Sequence, residues 1–317
     1  MSRGPSRTLS GLALSLTLFW LPSCSDDQRP PAFTASIHRY SAPELGTEGS
    51  VNSFWVETEH GVVVVDALRT LPDANAALGA LTHLAKPIEA IFITHPHPDH
   101  IGGLGVFKAS AEDAPIFASQ LTDDELASDS QGEIALAKMF EGAGFPDQVT
   151  RATEIVSDDQ HLVLDGLDIL VREHGPSESV SATTLELPSL GAFFAGDLVA
   201  DQMKVALFEG RSELWLTTLR QLQTELEPKN LTLYPGHGEP APASGLIAAQ
   251  IQYIERFREL IIENRLDDGT VDDLGKQRIA SAIEAEFPDT PQVAAKFEMF
   301  LAACIDAVAR ELAMNSG

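Results

Sequence analysis

Cysteine is scarce in this sequence, which holds only Cys24 and Cys304 among its 317 residues. Two cysteines provide neither a disulfide framework nor a cluster of thiolate metal ligands. Basic residues are also few, because 21 lysines and arginines are set against 47 acidic residues and the formal net charge is −26. A surface with that charge repels phosphate backbones, so the composition disfavours a nucleic-acid partner.

The apolar run at the N-terminus is short. It comprises residues 11–21, which are too few to span a bilayer comfortably. The run follows two arginines and ends at Leu-Pro-Ser-Cys24, which resembles the bacterial lipoprotein box. We therefore predict a lipoprotein signal peptide over residues 1–24 and a polar tether over residues 25–35. An uncleaved anchor or an ordinary secretory signal is the alternative. The prediction places an exported lipoprotein on the periplasmic face of the outer membrane, with the lipid on Cys24 as its sole membrane contact.

Three of the nine histidines fall within six residues, directly after the short apolar stretch 88–94. That stretch predicts a buried strand, and the loop after it carries His95, His97, Asp99 and His100 before a Gly-Gly turn. Imidazole and carboxylate are ligands that zinc and similar ions prefer. Asp99 and His100 are adjacent and point in different directions, so they can serve a second ion nearby. The loop therefore predicts a metal site.

Two later segments repeat this arrangement of a short apolar strand followed by a metal-binding residue type. Residues 191–195 precede Gly-Asp197, and residues 231–235 precede Gly-His237. Alone, a turn aspartate after a strand carries little meaning. Its position in the chain, between two histidine motifs, favours a ligand role for Asp197.

The motif His-x-His-x-Asp-His after an apolar strand resembles the signature of the metallo-β-lactamase superfamily, and four strand-end motifs follow the order of that family across about residues 37–240. The resemblance implies an α/β fold, a four-layer αβ/βα sandwich with additional C-terminal helices. We accordingly expect a catalytic domain over residues 36–243 and a helical extension over residues 244–317 that packs on it.

The resemblance also implies a ligand set for two metal ions. His95 and His97 would bind the first ion, and Asp197 would bridge both ions. The second ion would be bound by Asp99, His100 and His237. Asp99 would also act catalytically, by orienting the hydroxide that bridges the ions and later donating a proton. Asp66, at the end of an apolar strand, would orient the metal loop without binding an ion.

The sequence departs from the family at the third histidine of the first site, where it has Glu178. Glu178 as a ligand, His174 as a replacement, and an incomplete first site are the three alternatives. We expect two Zn²⁺ ions, while the charge of Glu178 would also suit manganese or iron.

The expected reaction is the hydrolysis of an ester, lactone, thioester or amide bond in a small-molecule substrate. A β-lactamase-type antibiotic hydrolase is one alternative, although the β-lactamases with a cysteine ligand are excluded because no cysteine lies between the metal loop and His237. A single-metal or degenerate, non-catalytic lipoprotein binding domain is another alternative. An oxidoreductase of the flavo-diiron type is disfavoured because the chain has no flavodoxin-like segment.

Further predictions concern three helical segments and two aromatic residues. Residues 122–141 are acidic with helical spacing and begin with a capping-box pattern at Thr122. After the last ligand, residues 244–264 and 290–314 form two amphipathic helices. Phe208 and Trp215 either line a substrate entrance or pack in the core.

Overall fold

The computed structural model describes residues 33–42, 51–201, 204–287 and 297–314, together with Met1 and Gly4. Thr34–Gly317 form one compact unit, and the other unit is Met1–Phe33. Most of the predicted signal peptide, including Cys24, and most of the predicted tether lie outside the described residues.

Two six-stranded sheets form the centre of the fold, with strand orders β1-β2-β3-β4-β5-β6 and β12-β11-β10-β9-β8-β7. In the first sheet β3 to β6 are parallel, and β1 and β2 join that sheet antiparallel. In the second sheet only the pair β10–β11 is parallel. The strands are Ser36–Ser41, Asn52–Glu57, Val62–Val65, Ile88–Phe92, Ile116–Ser119, Glu154–Val156, Gln160–Leu164, Leu167–Glu173, Thr183–Leu187, Ala192–Gly196, Thr232–Pro235 and Ala241–Pro242, numbered β1 to β12.

Side-chain alternation along the central strands separates the layers, as β3 shows. Val62 and Val64 belong to the apolar cluster between the first sheet and its helices. Val63 and Val65 belong to a second cluster that fills the space between the two sheets. Because successive residues of a strand point to opposite faces, a fully apolar strand is buried on both sides. The order of layers is therefore helix, sheet, sheet, helix, which confirms the predicted α/β sandwich with C-terminal helices.

Helices cover both outer faces. The cluster on the first sheet takes residues from α1 to α5, and the cluster on the second sheet takes residues from α6 to α9. In the described part of the chain, every helix is too short or too polar to cross a bilayer. The helices are Leu71–Leu81, Pro98–Ile101, Leu104–Ser110, Gln120–Ser128, Glu133–Glu141, Ser212–Leu226, Ala243–Asn264, Asp273–Glu286 and Phe297–Met314, numbered α1 to α9.

The prediction of one helix over residues 122–141 is wrong, because α4 and α5 are separate. The cap of α4 is Ser119, whose hydroxyl accepts from Thr122 N at 3.1 Å, so the predicted capping box lies one turn too late. Asp129 ends α4 with a φ of 46°. Its carboxylate then accepts from the backbone N–H groups of Ile134 and Ala135, both at 2.9 Å, and so satisfies the first turn of α5.

The C-terminal segment contains a helix that the sequence prediction missed. The predicted pair is present as α7 and α9, with residues 290–296 outside the described residues, and α8 lies between them. Asp272 caps α8 by accepting from Gly275 N at 2.7 Å. The large apolar side chains that α8 buries are those of Ile279 and Ile283. A helix with so narrow an apolar stripe has little periodic signal.

Candidate metal centre

The metal loop starts where β4 ends, and Asp66 fixes its backbone from behind. Asp66 follows β3 with a φ of 61° and is buried. Its carboxylate accepts from Thr94 N at 2.9 Å and from Thr94 Oγ1 at 2.8 Å. It also lies 2.9 Å from His100 Nδ1, so the other ring nitrogen of His100 is turned toward the site. Asp66 thus holds the start of the loop and one imidazole ring together.

The Gly-Gly turn after His100 lets the loop pack directly against backbone. A Cβ on Gly102 would lie 1.8 Å from Arg69 O, and one on Gly103 would lie 2.2 Å from Ala67 O. The loop is also bonded to this segment, because Ala67 N donates to His100 O at 2.8 Å. Side chains at these two positions would therefore push the metal loop away from β3.

The structure brings His95, His97, Glu178 and Asp197 into one buried group, with one possible ligand atom from each and all within 4.8 Å of one another. Glu178 Oε2 lies 3.2 Å from His97 Nδ1 and 3.9 Å from His95 Nε2. His174, the alternative for this position, instead has its Nε2 2.8 Å from Thr184 Oγ1. The geometry therefore places Glu178, and not His174, in the first group.

A second group contains Asp99, His100, Asp197 and His237, again with ligand atoms within 4.8 Å. His237 Nε2 lies 3.1 Å from Asp99 Oδ2 and 3.2 Å from Asp197 Oδ2. His100 Nε2 lies 3.3 Å from Asp197 Oδ1. Asp197 thus belongs to both groups. All seven residues predicted as ligands come together here.

Four buried polar atoms in these groups lie close to one another or to other charged atoms but have no well-aligned hydrogen-bond partner among the residues that the structure describes: His95 Nε2, His100 Nε2, Glu178 Oε2 and Asp197 Oδ1. Buried polar atoms without partners are costly, and in native proteins they point to an ion or another partner. Nitrogen and carboxylate oxygen donors of this kind suit zinc, manganese or iron. The residues therefore fit metal ions at both groups.

Burial and neighbouring charges shift the pKa values of the histidines in the site when no ion is bound. Burial lowers the pKa of His95 well below its usual value. Burial acts in the same direction on His237, but Asp197 and Asp99 outweigh it and raise the pKa of His237 to about 10. For His97, burial is likewise outweighed by Glu178 and Glu133, so its pKa lies well above the usual value. Ions entering the site must therefore displace protons.

Glu173 closes the loop that carries Glu178, a role that the sequence prediction missed. Its carboxylate accepts from the backbone N–H groups of Gly175 at 2.8 Å and Ala182 at 3.2 Å. It also accepts from Ser181 Oγ at 3.0 Å and from Thr183 Oγ1 at 2.9 Å. One carboxylate thus joins the two ends of the loop. No local pattern marks it, because its partners lie two to ten residues away.

Asn52 holds the loop of His237, and it too was missed. Its backbone N–H donates to Gly236 O at 2.8 Å. Its side-chain amide donates to the carbonyl oxygens of Pro235 and Gly238, both at 2.9 Å. Gly236 has no room for a side chain, because a Cβ there would lie 2.0 Å from Asp197 Oδ1. The first and second sheets therefore meet at the second metal group.

The two aromatic residues considered for a substrate entrance differ in their surroundings. Trp215 is 1% exposed and donates from Nε1 to Leu198 O at 2.9 Å, so it is a packing residue. Phe208 is partly buried against the core cluster of the second sheet and lies 6.0 Å, centroid to centroid, from Phe300.

Two other residues that the sequence prediction missed, Glu133 and Glu209, lie beside His97.

Comparison with known proteins agrees with this geometry. Residues 46–237 match the profile described as the metallo-beta-lactamase superfamily, and the chain belongs to that superfamily. That superfamily is one of metal-binding hydrolases, and this chain has residues that could bind metal ions.

Individual relatives match in different ways. The exodeoxyribonuclease WalJ of Streptococcus pneumoniae is 37% identical over 68 residues, which span 22% of this chain and only 24% of WalJ. The metallo-beta-lactamase IND-1 of Chryseobacterium indologenes is 24% identical over 219 residues, 66% of this chain and 81% of IND-1. The crystal structure of a beta-lactamase domain protein from Burkholderia ambifaria covers 92% of both chains with a TM-score of 0.66 and 16% identity, which is a likeness of fold.

Proposed function

We propose that the chain is a binuclear hydrolase that cleaves an ester, lactone, thioester or amide bond in a small-molecule substrate. The observation that carries this proposal is Asp197, which belongs to two adjacent ligand groups at once. Asp197 could contribute to the binding of an ion in each group, and two ions held there would act on the same substrate bond. The ring nitrogens of His95 and His100, which have no well-aligned hydrogen bond within the described residues, support the same arrangement.

When bound, divalent ions polarise the scissile bond and lower the pKa of water, so that hydroxide forms near neutral pH. The chain supplies the remaining functions. Asp99 faces His237 at 3.1 Å and is placed to orient the nucleophile and to hold a proton for the leaving group. Asp66 fixes the ring of His100 from the other side. Zinc is the ion we propose, and the carboxylate of Glu178 also suits manganese or iron.

A small molecule, and not a nucleic acid, is the partner we propose. The net charge of −26 opposes binding to a phosphate backbone. The relative that acts as an exodeoxyribonuclease matches this chain over 68 residues only. We further propose that the chain is an exported lipoprotein on the periplasmic face of the outer membrane, anchored through Cys24. Replacing Cys24 with alanine should then release the chain from the membrane fraction of cells.

A β-lactamase-type antibiotic hydrolase is the second candidate function. It is supported by the match to IND-1, which extends over 81% of that β-lactamase. The two candidates differ in substrate and share the metal centre. Measuring the hydrolysis of a panel of β-lactams beside lactones, esters and thioesters separates the two candidates. The ester, lactone or thioester hydrolase should turn over the lactones, esters or thioesters, and the β-lactamase should turn over the β-lactams.

The metal content of the full chain, purified in detergent because of its predicted lipid anchor, tests the proposal. We expect about two ions per chain, and about one in Glu178→Ala, because that variant removes a ligand of the first group only. His174→Ala is the matched control and should keep both ions, since His174 bonds to Thr184 instead. A parent chain with no ion or one ion after loading with zinc, manganese or iron would refute the binuclear hydrolase. It would favour a single-metal or non-catalytic binding domain.

A further inference from the structure

The two ring nitrogens of His97 have different neighbours. Nδ1 faces the first metal group, with Glu178 Oε2 at 3.2 Å. Nε2 faces away from that group, with Glu133 Oε2 at 3.1 Å and Glu209 Oε1 at 3.4 Å. The side chain of His97 is 9% exposed, so these carboxylates and not bulk solvent surround the outer nitrogen.

Glu133 reaches His97 because the start of α5 is fixed. It is the first residue of α5, directly after Gly132, whose φ is 76°. Asp129 accepts from the backbone N–H groups of the residues that follow Glu133. Glu125 accepts from Gln131 N at 2.9 Å and so holds the turn before the helix. The backbone position from which the Glu133 side chain extends is thus set by the local fold.

Glu209 reaches His97 from a loop that the C-terminal helix supports. Leu207 N donates to Cys304 Sγ of α9 at 3.3 Å. Ser212 N donates to Glu311 Oε2 of the same helix at 3.0 Å. These bonds fix the loop on both sides of Glu209, whose carboxylate also pairs with the guanidinium of Arg211. The helical extension therefore contributes to the surroundings of a residue in the metal centre.

We infer that Glu133 and Glu209 are positioning residues that keep a hydrogen of His97 on Nε2, so that Nδ1 is the nitrogen at which an ion displaces a proton. A neutral imidazole offers one nitrogen to a metal and carries its hydrogen on the other. Carboxylates that accept this outer N–H fix the ring and raise the basicity of the ligand nitrogen. This inference rests on the proposed function, because it concerns binding at the first metal group.

The same three side chains could in principle hold a cation of their own, since their atoms lie within 4.8 Å of one another. Two observations favour the positioning role. His97 cannot offer both nitrogen lone pairs while it is neutral, and Nδ1 is directed at the first group. The negative charge of Glu209 is already paired with Arg211.

Zinc affinity of the full chain, measured by competition with a chelator, tests the inference. We expect Glu133→Gln combined with Glu209→Gln to raise the dissociation constant of one of the two ions by about 10- to 100-fold, and to leave the other within about twofold. Glu186→Gln is the control, because Glu186 is a buried carboxylate on β9 of the second sheet that bonds to Lys229 and not to His97. Unchanged affinity for both ions in the double variant would overturn the inference.

A second measurement separates this inference from the proposed function. Proton exchange at the ring nitrogens can be followed by NMR after labelling histidine with ¹⁵N, with the His97 signal assigned by its absence from His97→Ala. We expect a slowly exchanging proton on His97 Nε2 that exchanges faster in the double variant, with or without zinc. If the parent chain binds no zinc, the proposed function fails, and this proton still decides the role of Glu133 and Glu209. Fast exchange at Nε2 in parent and variant alike would overturn it.

Discussion

Replacing Glu173 with alanine tests how the loop of Glu178 is held. Four donors lose an acceptor, but Ser181 Oγ keeps Ser119 Oγ at 2.8 Å as a partner. The backbone N–H groups of Gly175 and Ala182 have no such alternative contact with any residue that the structure describes. An unsatisfied buried donor costs about 1–3 kcal/mol. Because Gly175 is only half-buried, we expect a total loss of about 2–4 kcal/mol in the free energy of unfolding.

Urea unfolding of the metal-free chain measures that loss, and zinc titration measures its effect on the site. We expect Glu173→Ala to bind one ion about as tightly as the parent and the other more weakly, because the loop positions Glu178 alone among the ligands. Glu154→Ala is the control, since Glu154 is exposed on β6 and its removal should change stability by less than about 0.5 kcal/mol. If Glu173→Ala were as stable as Glu154→Ala, the assignment of Glu173 as the closure of the loop would be wrong.

Three further predictions concern the second group. Asp66→Ala removes the partner of His100 Nδ1 and should weaken the second ion by about 10- to 100-fold in chelator competition; full affinity would contradict the role of Asp66. Gly236→Ala puts a Cβ 2.0 Å from Asp197 Oδ1, so elemental analysis should find fewer than two ions, and a fully loaded variant would disprove the steric argument. Without metal, burial lowers the pKa of His237 but Asp197 and Asp99 outweigh it and raise this pKa to about 10. Below pH 10 an ion must therefore displace the proton of His237, and zinc affinity should increase as the pH rises toward 10. Calorimetry of zinc binding at pH 7 in buffers of different ionisation enthalpy should detect released protons. If no proton were released, the prediction for His237 would be refuted.

Most of the ligand residues could be predicted because each of their motifs begins within three residues of the end of an apolar strand. His95 comes after β4, Asp197 after β10 and His237 after β11. β4 belongs to the first sheet and β10 and β11 belong to the second, and the packing of the two sheets brings the residues after these strands together. Glu178 was the exception, since only its distance from β9 suggested it.

The residues that support the ligands could not be predicted in this way. Glu133 lies at the start of α5 and Glu209 lies on the loop before α6, and neither belongs to a sequence motif. They meet at His97 only because the fold packs these segments together. The missed break between α4 and α5 is different, because Asp129 and Gly132 both have a positive φ. An aspartate followed within three residues by a glycine is a turn signal that the helical spacing concealed.

The distribution of the ligands over both sheets constrains when the chain can acquire its ions. His95, His97, Asp99 and His100 follow β4 of the first sheet, whereas Glu178, Asp197 and His237 lie in the part of the chain that forms the second. A chain that has not yet added β11 lacks His237, and an unfolded chain holds no pre-arranged set of donors. The second ligand group is therefore complete only after β11 has joined its sheet. The ions available in the compartment where this step occurs would then determine which metal the second group takes.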